Sequence, residues 1–259
     1  MNAAPSSGEA RFDASGFGTS TEVRFEVDGP VATVTLDRPE VLNAQTPALW
    51  ADLRAFGRSL PGDVRVVVVR GSGRAFSAGL DTSVAASILG GVSDAQIAQY
   101  QEAFAWLRRP SLISIAAVHG HAIGAGFQLA LACDFRVVAE DVKFCMAEVS
   151  LGLVPDLGGT KRLVELVGYA RALELCVTGR RVMADEASQI GLANVVVPAA
   201  ELTGAAGDLT AAVLAGPRDA VVEIKALIAA AGGHTFAQQE AVERAAQVRR
   251  IQDLAGLGE

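Results

Sequence analysis

The sequence predicts an α/β fold in which a strand-rich body carries a helical C-terminal tail. Three observations predict it. Two near-continuous apolar runs, Val64 to Arg70 and Ile113 to Val118, have the length and β-branched content of strands covered on both faces. Each leads into a turn of small residues, Ala75-Phe-Ser-Ala-Gly-Leu-Asp81 and Gly120-His-Ala-Ile-Gly-Ala-Gly-Phe-Gln128. Beyond Pro198 strand signals cease and Ala-rich helical patterns take over.

Thr21 to Val27, the turn Asp28-Gly29-Pro30 and Val31 to Leu36 read as a β-hairpin. Thr46 followed by Pro47 is a helix N-cap with proline at the first helical position, and that helix runs to Leu60. A second helix, Ser93 to Arg108, is stopped by Pro110. Past the second turn, Phe127 to Cys133 continues as a helix, Phe135 to Ala139 and Lys143 to Met146 read as short strands, and Thr160 to Val167 and Ala170 to Thr178 have helical spacing. A short helix over Ala184 to Gln189 ends at Gly191, and Ala193 to Val197 is the final strand. The helices of the tail are broken near Gly216-Pro217 and Gly232-Gly233.

With 259 residues, 51% of them hydrophobic, the chain can bury the core of one α/β domain and a smaller appendage. A net charge of -7 and a pI near 5.1 argue against nucleic acid or a membrane surface as partner, although a local basic patch for one phosphorylated ligand is compatible with them. Ser111 to Cys133 lacks Asp, Glu, Lys and Arg, but its Ser114, His119, His121 and Gln128 fit a buried strand, turn and helix better than a membrane span. Residues 1–20 have no basic start followed by an apolar stretch and read as a mobile tail, so the cytoplasm is the default compartment. Cys133, Cys145 and Cys176 lack metal-ligand spacing and read as small core residues, and the three histidines are equally poor metal candidates.

In each small-residue turn backbone N–H groups can be left unpaired, and two of them make an oxyanion hole. Those near Ala125 lie at a helix N-terminus, where the dipole favours negative charge. The second turn is not a dinucleotide fingerprint, because Leu129 stands where a third glycine is needed. Ser77 is not in a nucleophile elbow, because Gly73 stands four residues before it and the pattern needs a glycine two before. On these residues alone, two tight turns in an α/β sheet explain the pattern about as well as an oxyanion hole does.

Six pieces in order resemble the enoyl-CoA hydratase/isomerase (crotonase) superfamily. They are Thr35-Leu-Asp-Arg-Pro-Glu-Val-Leu-Asn-Ala44, Arg74 to Asp81, Ala116-Ala-Val-His-Gly120, Gly124-Ala-Gly126, Glu148-Val-Ser-Leu-Gly-Leu-Val-Pro-Asp-Leu-Gly-Gly-Thr160, and Thr178-Gly-Arg180 with Ala184 to Leu192. The resemblance implies a crotonase-like spiral of ββα units over residues 21–200 and a C-terminal helical trimerisation region over residues 201–259, giving a homotrimer or a dimer of trimers. It implies an acyl-CoA substrate, with coenzyme A part of that substrate and no separate cofactor or metal.

By position, the resemblance puts the oxyanion-hole amides at Leu80 and Ala125. It puts Val41, Leu42 and Ala44 beside the coenzyme, and Ser77, Ala78, Gly79, Asp81 and Gly124 beside coenzyme or thioester. Many relatives carry basic residues at positions matching Val41 or Leu42, so Arg38, Arg74 and Lys225 are the substitutes for phosphate contact. Two-carboxylate hydratases of the superfamily have acids at the positions of Gln128 and Glu148. An amide cannot exchange a proton in this pH range, so the hydratase pair is broken here. Asp156 matches a position that carries a functional aspartate in dienoyl-CoA isomerases and some dehalogenases of the superfamily.

Glu148 alone suffices to move a double bond, taking a proton from C2 of a 3-enoyl-CoA and returning it at C4, with Asp156 as a second relay. The alternatives are hydration by Glu148 with Gln128, a non-catalytic acyl-CoA binder, and Asp156 as nucleophile on an aryl-CoA halide. Trp106 and Phe104 are acyl-pocket candidates, with ordinary core packing the commoner role for both.

Overall fold

The computed structural model describes residues 22–84 and 91–256. The tail read over residues 1–20 lies outside them, as does most of the loop between Thr82 and Val92. β1 (Val23–Asp28) and β2 (Val31–Leu36) form the expected antiparallel hairpin, closed with Asp28 opposite Val31. β3 (Val66–Gly71) and β4 (Ile113–Val118) add in parallel, then β6 (Phe135–Ala139) and β9 (Val195–Val197), giving a six-stranded sheet of order β1-β2-β3-β4-β6-β9.

Parallel neighbours need crossovers, and helices supply them. α1 (Pro47–Ser59) joins β2 to β3, and α2 (Asp94–Ala105) lies between β3 and β4. The Thr46 hydroxyl accepts from the Leu49 amide, so the cap read from Thr46-Pro47 is made. The second helix tightens to a 3₁₀ turn over Trp106–Arg108 and ends at extended Arg109, the conformation that Pro110 imposes on the residue before it.

Every residue of β4 is buried, because both faces of the sheet are covered. One face packs Val67, Val69, Ala116 and Val118 with Leu53 and Phe56 of α1 and Phe104 of α2. The other packs Val66, Ile115 and Ala117 under Leu202 and Ala206 of the helix Leu202–Ala215.

Two strands were not legible in the sequence, β5 (His121–Ile123) inside the second turn and β8 (Arg181–Met183). With β7 (Lys143–Cys145) they form a second sheet of order β5-β7-β8. Three residues are too few for alternation to show, and each strand is held by its neighbour's backbone. α3 (Ala125–Ala132) leaves β5 directly and is buried throughout. Ser111 to Cys133 therefore folds as strand, short strand and helix, and no helix among the described residues is long and apolar enough to cross a membrane.

α4 (Gly159–Val167), α5 (Tyr169–Thr178) and α6 (Ala184–Gln189) follow, then α7 (Leu202–Ala215), α8 (Arg218–Ala231) and α9 (Phe236–Leu254). Lys225 ties α8 to the body by an ion pair with Asp134 at 2.7 Å. Ile224, Ile228, Phe236 and Leu254 on α8 and α9 are exposed.

Candidate active site

Hydrogen-bond accounting singles out one amide of the first turn. Phe76 N donates to His119 O, Ser77 N to His121 O, Ala78 N to Leu42 O, Gly79 N to the Ser77 hydroxyl, and Asp81 N to Gln45 O, all within 2.8 to 3.2 Å. Among the described residues the Leu80 amide between them has no acceptor. In the second turn Ile123 N donates to Ser77 O and Gly124 N to Cys145 O, whereas Ala125 N opens α3, where first-turn amides have no acceptor within the helix.

The two turns touch. A parallel bridge pairs Ser77 with Ala122, and a side chain on Gly79 would put its Cβ 2.5 Å from Ile123 O and 3.5 Å from Ala125 N. Gly79 also has φ +88°, so only glycine fits both the backbone and the approach. The amides of Leu80 and Ala125 thus belong to segments packed backbone against backbone. Two such donors, brought onto one oxygen, can stabilise the charge growing on it, typically by about 3 to 4 kcal/mol of barrier per donor.

Glu148 opens a 3₁₀ turn, Glu148–Leu151, and its carboxyl lies against Gly124, where a Cβ would be 3.4 Å from Oε1 and 3.9 Å from Oε2. Gln128, one turn into α3, donates from Nε2 to Glu148 Oε1 at 2.7 Å. Its own Oε1 accepts from Leu157 N at 2.9 Å and Gly159 N at 3.3 Å. Glu148 Oε2 is shielded from solvent and has no hydrogen-bond partner among the described residues. Burial pushes the Glu148 carboxyl up from the ordinary range, opposed by hydrogen bonds to its own backbone and to Gln128, while the charge of Asp156 adds to the rise. Asp156 is itself raised by burial, and its carbonyl oxygen accepts from Gln101 Nε2.

The remaining predicted positions fall around this centre with unequal parts. Gly124 carries φ +50° at the start of α3, and Ala78 ties the first turn to the Val41–Ala44 stretch through its bond to Leu42 O. Val41 is exposed, Ala44 is buried, and Leu42 and Asn43 both adopt the left-handed conformation, with φ +54° and +55°. The Ser77 hydroxyl is fully engaged, donating to Asn43 O and accepting from Gln45 Nε2 and Gly79 N, so it is a structural pin. The Asp81 carboxylate takes the Ser83 amide and hydroxyl and pairs with Arg38 at 2.9 Å, and these bonds hold it below its ordinary range despite desolvation.

The candidate phosphate cations separate in the same way. Arg38 is committed to Asp81 and to Ala44 O, and Lys225 points inward to Asp134 and the carbonyls of Leu107 and Leu112, which leaves exposed Arg74. Phe104 and Trp106 are core residues, 0% and 4% exposed.

Sequence reasoning missed Gln45 and Asn43. Gln45 is fully buried, and its backbone brackets Leu80, its N–H donating to Gly79 O and its carbonyl accepting from Asp81 N. Its side chain accepts from Trp50 Nε1 at 2.8 Å and donates to Ser77 Oγ at 3.1 Å. Asn43 donates to the carbonyls of Ser72 and Ala75 and accepts from Arg38 N. The available signal was two amide side chains, two residues apart, between a strand and a proline-started helix.

A mostly parallel sheet, a small second sheet and two amide-bearing turns beside a carboxyl with one shielded oxygen define a crotonase-type α/β protein. Residues 26–255 match the enoyl-CoA hydratase/isomerase family, and the chain belongs to it. A Thermobifida fusca protein described as an enoyl-CoA hydratase, solved with CoA, is 46% identical with a TM-score of 0.86 over 91% of this chain and 95% of that one. The same protein solved with acetoacetyl-CoA superposes with a TM-score of 0.88 at 46% identity, over 90% and 95% of the two chains. A protein of Mycobacterium bovis named as a probable enoyl-CoA hydratase is 35% identical over 71% of this chain and 72% of its own. The carnitinyl-CoA dehydratase of Salmonella paratyphi A is 39% identical over 73% of each.

Proposed function

We propose that this protein moves the double bond of an enoyl-CoA thioester through an enolate, with Glu148 as the base and the amides of Leu80 and Ala125 as the oxyanion hole. The single observation that supports the reading is that Gly79, which precedes a Leu80 amide with no acceptor among the described residues, packs against Ile123 and the Ala125 amide, while the Glu148 carboxyl lies against the neighbouring Gly124. A thioester C2–H is a weak acid, and donors aimed at the carbonyl oxygen stabilise the charge left when its proton departs. A carboxylate pushed up by burial is better matched to that proton than an ordinary one. Val41, Leu42 and Ala44 would border the coenzyme, with Asp156 as a second relay. The CoA and acetoacetyl-CoA bound by the Thermobifida fusca relative support the ligand class.

Hydration is the second reading, favoured by the hydratase names of the relatives. Against it stands the commitment of Gln128 Oε1 to two main-chain amides, which takes away the oxygen that would accept from a water. We further read residues 21–200 as the catalytic body and residues 201–259 as the region that assembles a homotrimer or a pair of trimers, the exposed apolar residues of α8 and α9 being its contacts.

The test is deuterium exchange at C2 of bound butyryl-CoA in D₂O, followed by conversion of 3-enoyl-CoA to 2-enoyl-CoA. Wild type exchanges and converts, and Glu148→Gln lowers both by about 100- to 10,000-fold. Tight acyl-CoA binding with no exchange by wild type overturns the reading in favour of a binder. Loss of crotonyl-CoA absorbance without isomerisation overturns it in favour of hydration.

A further inference from the structure

We propose that Gln128 is a positioning residue that reserves Oε2 of Glu148 for proton transfer and confines the site to a single base. The inference rests on the reading of Glu148 as the base. Gln128 is 1% exposed, and its orientation is dictated by its surroundings. Leu157 N and Gly159 N both donate to its Oε1, and turning the amide over would set an NH₂ group against two N–H groups. Nε2 must therefore face Glu148, where it donates to Oε1 at 2.7 Å. Nor can the side chain slide away, since a Cβ on Gly159 would already stand 2.8 Å from Gln128 Cγ.

The consequence falls on the carboxylate. Its two oxygens are chemically alike until their neighbours differ, and here one carries an N–H donor while the other is shielded and has no partner among the described residues. A hydrogen bond to the charged form lowers the basicity of the oxygen that receives it, which leaves Oε2 as the stronger base. In the forward step the C2–H bond breaks, the proton bonds to Oε2, and the electron pair of the broken bond delocalises onto the thioester oxygen as a dienolate. In the return step the same proton leaves Oε2 and bonds to C4, and the dienolate electrons form the new C4–H bond and the C2=C3 double bond. No other reactant is consumed. Gln128 fills the neighbouring position with a group that neither gives nor takes a proton.

The titratable groups that face Glu148 are Asp156, whose charge raises it, and the thiols of Cys145 and Cys176, both raised in turn by burial and by Glu148. The test compares full-length wild type with Gln128→Met and Gln128→Glu in C2 deuterium exchange on butyryl-CoA across pH. Methionine removes the donor, so the acidic limb of the profile moves up. Glutamate keeps an oxygen for the Leu157 and Gly159 amides but brings a second carboxyl onto Oε1, so the limb moves up further, by about one pH unit or more.

An unchanged limb in both variants, with exchange merely slower, overturns the proposal and leaves Gln128 a packing residue. Should Gln128→Met fail to fold, Gln128→Glu decides alone, because its backbone partners remain satisfied. If wild type itself shows no exchange, the assignment of Glu148 as base fails first and this inference goes with it. Exchange by wild type without a shift in the variants rejects this inference alone.

Discussion

Burial pushes the Glu148 carboxyl up, and the same burial makes its charge a cost to the fold. Below the ordinary carboxylate range the group is protonated whether the chain is folded or unfolded, and it costs nothing. As pH rises past that range the unfolded chain ionises first, so stability falls until the folded group ionises too and then stays level. Glu148→Gln is therefore expected to raise the melting temperature at neutral pH, with the gain disappearing on acidification. Thermal unfolding of the two proteins from neutral pH down to the ordinary carboxylate range checks the sign.

Gln45 shows the opposite economy. Replacing it by Leu would orphan Trp50 Nε1 and remove a donor from Ser77 Oγ, costing about 1 to 3 kcal/mol in urea unfolding. Because its backbone still brackets Leu80, C2 exchange is expected to fall less than in Glu148→Gln. At this scale the sequence was legible where a residue acts on near neighbours, as Thr46 does on Leu49. It was illegible for Gln45, whose partner Ser77 lies 32 residues away.

Among elements, the turn that holds Leu80 leaves the least room for change. Gly79→Ala would force a side chain onto Ile123 O at a backbone angle that L residues rarely adopt, costing about 1 to 3 kcal/mol of stability. Under the role proposed for Leu80, moving its amide out of line should remove up to about 3 to 4 kcal/mol of enolate stabilisation. Exchange rate and urea midpoint, measured together, should both drop.

The Lys225–Asp134 pair joins α8 to the residue just before β6, with the Lys225 and Asp134 side chains 9% and 17% exposed. Lys225→Met takes the cation from a carboxylate that keeps the Ser114 amide and hydroxyl, and is expected to cost about 1 to 3 kcal/mol by urea unfolding. The helices and long strands were readable because each repeats its pattern over several residues. β5 and β8 were not, since a three-residue strand owes its shape to whatever lies beside it.

For the whole molecule, the apolar surface of α8 and α9 points to assembly. Ile228 is 71% exposed, Phe236 90% and Leu254 88%, an apolar surface that contact with another copy would cover. Phe236→Asp with Ile228→Asp should shift sedimentation towards a single copy while the far-ultraviolet circular dichroism of the body persists. Sedimentation at matched concentration settles it, and unchanged mass would send the trimer reading back to the other exposed face around Val149, Leu151 and Val154.

The stitching of Gln45 to Leu80 and of Ser77 to Ala122 also sets the order in which competence is gained during maturation. Three stretches scattered over some eighty positions of chain must arrive before the Leu80 amide points anywhere useful, so loop-closure entropy weighs on these contacts more than on local helix formation. Refolding should regain ellipticity early and turnover late. A mildly weakened variant should go silent while it still looks helical.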